Sequence, residues 1–311
     1  MRKTNKLKIL LIIILLVTCL TTGCTKQLSD SNKKPVKNKE TGQTLIENIL
    51  CQPEDKTTIK IYEKYGVKID KLPKCSKLKV NSGGYEGLWT SIFVKPLAYF
   101  IILLGLQVKN YGLALIIVTL IIRIIIFPLT QNMAKQSELM KEAQPKLTKI
   151  QKKYQGKTDQ ESMMKQQTEM MAVYREYNIN PALGCIFAFI QLPLFIAFFE
   201  AIQRTPAIFE DKFLGLQLGT TPNVGIVSST FYSYLILMIL IGATTIFSFK
   251  MTQKDIAQTN PSMNMMPIMM SVMIIIMGLF MPSGLGIYWI ASNIFTIFQN
   301  IVVQKRRKEN G

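Results

Sequence analysis

The sequence predicts an all-α integral membrane protein: five transmembrane helices around a hydrophilic groove, an outer amphipathic helix and a cytoplasmic coiled-coil hairpin of two helices. Three observations carry that prediction. The 311-residue chain is 49% hydrophobic with a mean hydropathy of +0.23, yet its formal net charge is +18. Its apolar residues lie in long blocks and its lysines between them, which is the segregation a bilayer imposes. One of those blocks, "LIIRIIIFPLT" at residues 120–130, holds a single arginine.

Composition also narrows the chemistry. There is no histidine, and Cys19, Cys24, Cys51, Cys75 and Cys185 show no CxxC or Cys/His ligand spacing. A metal centre and Ser-His-Asp catalysis are therefore excluded, no GxxxxGK[ST] phosphate loop is present, and neither catalytic residue nor cofactor is expected. The basic residues flank hydrophobic segments and form no DNA- or RNA-binding signature. Their expected counter-charges are anionic lipid headgroups or ribosomal RNA near the membrane, not DNA.

Residues 1–23 read as an export signal: Arg2, Lys3, Lys6 and Lys8 precede an apolar core from Ile9 to about Leu20, and a small-residue exit leads into Cys24. "LTTGC" resembles a lipobox with its leucine one position early, so Cys24 is the expected lipidation site, palmitate included. An uncleaved or unlipidated segment is the alternative. Residues 24–84 read as an exported, lipid-anchored tether: 25 to about 58 are polar, lysine-rich and aperiodic, and 59–80 add some aromatic and β-branched content but too little to bury a core. Cys51 and Cys75 lie on its oxidising side, where they are either free or bridged. Residues 85–107 are apolar but carry Lys95-Pro96 mid-run and Trp89 near the start, and read as an amphipathic interfacial helix.

Residues 108–304 form the five-helix core. Its spans are Tyr111 to Leu129, Leu183 to Ile202, Phe231 to Phe249, Met265 to Met281 and Leu285 to Val303, each long enough to cross a bilayer. The 131–181 segment has nine basic and six acidic residues, the 203–230 loop two of each, and the 305–311 tail is strongly basic. The positive-inside rule then exports the N-terminus and leaves the C-terminus in the cytoplasm, a multi-pass arrangement in the cell membrane. Within 133–178, Met140, Ala143, Leu147, Ile150 and Tyr154 recur at helical spacing, "QGKTD" interrupts near Gly156, and Met164, Gln167, Met171 and Tyr174 resume it. The predicted hairpin has a basic outer face of Lys146, Lys149, Lys152, Lys153, Lys157 and Lys165. That face is either a docking arm for ribosome, nascent chain or anionic lipid, or simply solvated.

A guanidinium at mid-membrane costs about 2.5–3.5 kcal/mol on insertion scales, so Arg123 needs compensation. The only acidic residue in any span is Glu200, near the outer end of the second. Solvation must then come from water entering from inside, from side-chain dipoles, or from something that arrives later. The first of these points to a wet groove open to cytoplasm and lipid. Thr119, Gln191, Tyr288, Trp289, Ser292, Asn293, Thr296 and Gln299 are the uncharged polar candidates around it. Snorkelling to inner headgroups and capture by carbonyls freed near Pro128 are the competing readings. A proton- or ion-coupled transporter would need an intramembrane carboxylate or histidine relay, which is missing. A second stripe, Met266, Met270, Met273, Met277 and Met281, falls on one helical face; flexible methionines suit either a slide for varied apolar segments or ordinary packing.

"RIIIFPLT", "AQPKLTKIQKKY", "YREYNINPALGCIFAFIQLPLFIAFFEAI" and "MPSGLGIYWIASNIFTIFQNIVVQK", in that order, resemble the YidC/Oxa/Alb membrane protein insertases in the lipoprotein form typical of Gram-positive-type bacteria. The resemblance covers roughly residues 85–308. It implies a hydrophilic cavity closed on the outside, with Arg123 as its arginine, and a slide formed by the second and fourth spans. It further implies insertion of nascent membrane proteins from the cytoplasm, alone or with the Sec translocon, with the ribosome and membrane lipids as further partners. A lipid-anchored assembly chaperone or scaffold without translocation activity is the alternative.

Overall fold

The computed structural model describes residues 25–180, 182–227, 231–253 and 261–310, excepting within its helices the side chains of residues 129, 133, 137, 182–190, 252–253, 261–268, 270 and 306–310. The export signal and Cys24 lie outside the described residues. Helices occupy every predicted span. In chain order they are α1 (Lys56–Lys64), α2 (Lys95–Val108, entered through a π-type turn at Thr90–Val94), α3 (Tyr111–Lys153), α4 (Gln160–Glu176), α5 (Ala182–Arg204), α6 (Phe231–Gln253), α7 (Pro261–Leu279) and α8 (Ser283–Asn310). A two-stranded ribbon, β1 (Lys212–Phe213) with β2 (Leu216–Gln217), turns through Leu214 and Gly215, both at positive φ, between α5 and α6.

Among the described residues, Thr90–Val108, Tyr111–Pro128, Phe231–Met251 and Ser283–Lys305 are long and apolar enough to cross a membrane. The predicted second and fourth spans coincide with α5 and α7. The predicted interfacial helix qualifies by length and composition alongside the others. Its exposed side chains include Phe93, Phe100, Leu103 and Leu106, while Lys95 is turned inward. Lys95 is paired there with Glu86.

The chain divides into two compact units. The first takes in the described residues up to Val118, then Leu192–Met238 and Gly278–Tyr288. Here the structure corrects the expectation that the region before residue 84 buries no core. Leu28, Val36, Leu45, Ile49, Tyr62 and Ile69 are buried together, with Ile59, Ile61, Tyr65, Val67 and Leu72 packed around them, and Cys51 is bridged to Cys75. Asp55 caps α1 by accepting from the Thr58 amide at 2.7 Å. The apolar residues of this module follow neither helical nor strand spacing, since most of it is irregular chain held by isolated bridges such as Gln27 with Ile46 and Lys37 with Thr44. Composition alone could not reveal a core assembled that way.

The second unit comprises Thr119–Gln191, Ile239–Met277 and the chain from Trp289 onward. It contains the hairpin. The first helical stripe is as predicted: Ala143 and Leu147 are buried and Met140 and Ile150 pack beside them. The second differs, since Met170, Val173, Tyr174 and Tyr177 face the seam while Met164 and Met171 are exposed. Tertiary packing takes Met170 into the seam rather than its neighbour Met171, and leaves both Met163 and Met164 exposed. Gly156 takes φ +82° at the turn, a conformation that suits glycine, and Asp159 caps α4 by accepting from the Ser162 amide at 2.8 Å. Lys153 pairs with Glu169 at 2.6 Å and Lys146 with Glu176 across the hairpin. At its base Glu138 accepts from Lys141 at 2.6 Å and from Gln304 of α8 at 3.1 Å.

Candidate functional site

Arg123 lies in α3 with Ile121, Ile124 and Ile125 exposed around it, and is itself only 4% exposed. Its Nη2 donates to Gln191 Oε1 at 2.7 Å and to Ser292 Oγ, so α5 and α8 each supply a dipole to the guanidinium. Side-chain dipoles, one of the three sources of solvation open from sequence, are in place at Gln191 and Ser292. Physically, neutral acceptors orient a guanidinium and offset part of its desolvation without cancelling its formal charge.

The local sequence explains the placement. On α3, residues 123, 127 and 130 fall on one helical face; on α8, residues 292, 295 and 299 do the same. The pairs meet level by level: Arg123 with Ser292, Phe127 edge-on to Phe295 at 6.2 Å between centroids, and Thr130 Oγ1 donating to Gln299 Oε1 at 3.1 Å. Residue numbers rise together along both helices, so α3 and α8 run parallel here.

A second polar set lies on another face of α8. Trp289 Nε1 donates to Thr245 Oγ1 at 3.0 Å, and Asn293 Nδ2 donates to Thr245 Oγ1 at 3.1 Å and Thr244 Oγ1 at 3.4 Å, tying α8 to α6. Thr119, one helical turn before Arg123, is buried. The structure therefore gathers Arg123, Gln191 and Ser292 in one cluster and Trp289 and Asn293 in another. Tyr288 belongs to the first unit, where it is fully buried and stacks on Phe198 at 4.2 Å. Thr130, Thr244 and Thr245 are polar contributors that sequence reasoning missed, although the adjacent threonines in the apolar run "LIGATTIFSF" were a visible signal.

Of the proposed slide, Met273 and Met277 are exposed on α7, and Met269, Val272 and Ile276 are exposed beside them. The Met266 and Met270 side chains lie outside the described residues. The exposed surface of α7 is thus broadly apolar and wider than a single methionine stripe.

The first unit holds its own buried polar network. Glu86 accepts from Lys95 at 2.8 Å and from Arg204, and Trp89 Nε1 donates to Glu200 Oε1 at 3.1 Å. Burial alone would raise the Glu86 pKa, but Lys95 and Arg204 together hold it below the usual carboxylate value. The one carboxylate found within a predicted span, Glu200, is thus engaged by Trp89 in this unit.

A family model described as 60Kd inner membrane protein matches residues 103–310, which include both polar clusters. A protein of Oceanobacillus iheyensis named membrane protein insertase YidC is 38% identical over 231 residues, covering 71% of this chain and 85% of that relative. Membrane protein insertase YidC 2 of Listeria innocua is 38% identical over 218 residues, 70% of this chain and 72% of the relative. Membrane protein insertase MisCA of Bacillus subtilis is 36% identical over 217 residues, 70% of this chain and 79% of the relative.

Proposed function

Because the chain belongs to the 60Kd inner membrane protein family, we propose that it is a membrane protein insertase, receiving nascent membrane proteins from the cytoplasm and transferring them into the bilayer. The observation that carries the site is Arg123, a buried cation held by the neutral acceptors Gln191 and Ser292. A guanidinium so placed keeps its charge for an incoming partner. An acidic residue in the short exported segment of a client exchanges with one of these dipoles, and at about 4 Å with an effective dielectric near 20 the attraction is on the order of 4 kcal/mol before desolvation. Meanwhile the client's apolar helix moves along α5 and α7 into lipid, where burial at about 25 cal/mol per Å² supplies the driving force. Thr119, Trp289 and Asn293 line the groove in this reading, and Met266, Met270, Met273 and Met277 form the slide. The chemistry is non-covalent, with no cofactor.

The remaining parts follow from charge and compartment. The α3–α4 hairpin and the basic end of α8 face the cytoplasm, where they meet the ribosome, and the Sec translocon shares larger clients. Residues 1–23 direct export and Cys24 carries the lipid. The Cys51–Cys75 bridge supports an oxidising location for the N-terminal region. Purified protein in liposomes, given one small single- or double-spanning client, tests the reading: protease protection of the client's exported tail is expected. Clients that bind but stay fully digestible would overturn it.

A further inference from the structure

We propose that residues 25–80 are a disulfide-dependent clasp, whose role is to fix the segment joining α5 to α6 by docking on it at three points. The inference stands apart from the insertase reading and concerns a region that precedes the family-matched residues. At the first point the Leu50 amide donates to the Arg204 carbonyl at 2.7 Å, and Arg204 Nε returns a hydrogen bond to the Asn48 carbonyl at 2.8 Å. At the second, the Glu54 amide donates to Glu210 Oε2 at 2.9 Å. At the third, the Thr221 amide donates to the Thr41 carbonyl at 3.0 Å, and Gly42, at φ +69°, lies so close that a Cβ would sit 2.5 Å from both Thr221 Oγ1 and Val224 Cγ2.

Two of these points bracket Cys51. The bridge to Cys75 anchors the strand that makes them, together with Gln52, whose amide donates to the Pro73 carbonyl at 2.9 Å and whose Nε2 donates to the Leu72 carbonyl at 2.7 Å. A module as short as residues 25–80 is marginal on its apolar core alone, and modules of that size commonly rely on a covalent staple. Both cysteines are buried, so the bridge is an internal support of the docked form. Removing it returns loop-closure entropy to the opened module, and the docking points open with it.

Hydrogen exchange on the full chain in lipid vesicles tests this with two variants. In the double variant Cys51→Ser/Cys75→Ser, amide protection within 25–80 should fall by roughly 10²-fold, and that of 206–226 by at least about tenfold, with α3 and α6 unchanged. In Gly42→Ala, the bridge and core remain and only 219–226 should lose protection. Unchanged protection of 206–226 in both variants would overturn the clasp, as would an intact 25–80 core without the bridge. Loss spreading equally to α3 and α6 would also overturn it, since the module would then be an inseparable part of the general fold.

Discussion

Replacing Arg123 separates a cation used to hold helices from one kept for clients. Arg123→Ala removes two charge-assisted hydrogen bonds, to Gln191 and Ser292, each about 1.5–3 kcal/mol, so the gross loss is roughly 3–6 kcal/mol. It also relieves the cost of burying the guanidinium, about 2.5–3.5 kcal/mol on insertion scales. The net destabilisation is therefore about 0–3 kcal/mol, a modest shift in thermal unfolding in detergent. Insertion should respond differently. With a client bearing an acidic exported segment, Arg123→Ala should lower insertion at least about tenfold, the equivalent of about 1.4 kcal/mol of lost attraction. With the same client carrying Asn and Gln in that segment, the change should stay within about twofold. Arg123→Lys keeps the charge and loses the fork that reaches both acceptors, so it should retain most insertion. A double-mutant cycle with Ser292→Ala isolates the structural share. If acidic and neutralised clients fall equally, the cation serves only to pack α3 against α5 and α8, and the electrostatic account of client capture is wrong.

Leu147→Ala, in the sealed part of the hairpin seam, should cost about 2–4 kcal/mol locally, read as loss of amide protection confined to α4 and the facing part of α3. Burial, with Asp55 and Glu54 nearby, pushes Glu210 up to about 7 despite the amides it accepts. A carboxyl raised on docking stabilises the docked module below its ordinary value and ceases to do so as pH rises through about 7. Protection of 25–80 should therefore decline between pH 5 and pH 8, a range set about that value, and Glu210→Gln should flatten the profile. Trp89→Phe strips the buried Glu200 of its donor and should destabilise by about 1–3 kcal/mol, seen as a lower midpoint of thermal unfolding.

The spans and the hairpin were legible because their signals are local: an apolar block of bilayer length, or a 3.6-residue period, marks a helix whatever it packs on. Arg123 was conspicuous for the same reason, a charge where its neighbours permit none. Its partners were not, because the choice depends on where each helix level falls. Tyr288 and Ser292 share one face of α8 a turn apart, yet Tyr288 stacks on Phe198 while Ser292 meets the guanidinium. Trp289 and Asn293 turn toward Thr244 and Thr245 instead. In the second arm of the hairpin, packing took Met170 rather than Met171 into the seam and left Met163 and Met164 exposed. The N-terminal module was least legible, since its order comes from a bridge across 24 residues and from contacts with chain more than 150 residues away. Sequence by itself determined which segments are helical and where a charge must be compensated, because backbone hydrogen bonding and apolar burial act over a few residues. Tertiary structure alone decided which dipoles meet that charge and whether a lysine-rich stretch folds, because both turn on surfaces that become neighbours only when the chain has closed.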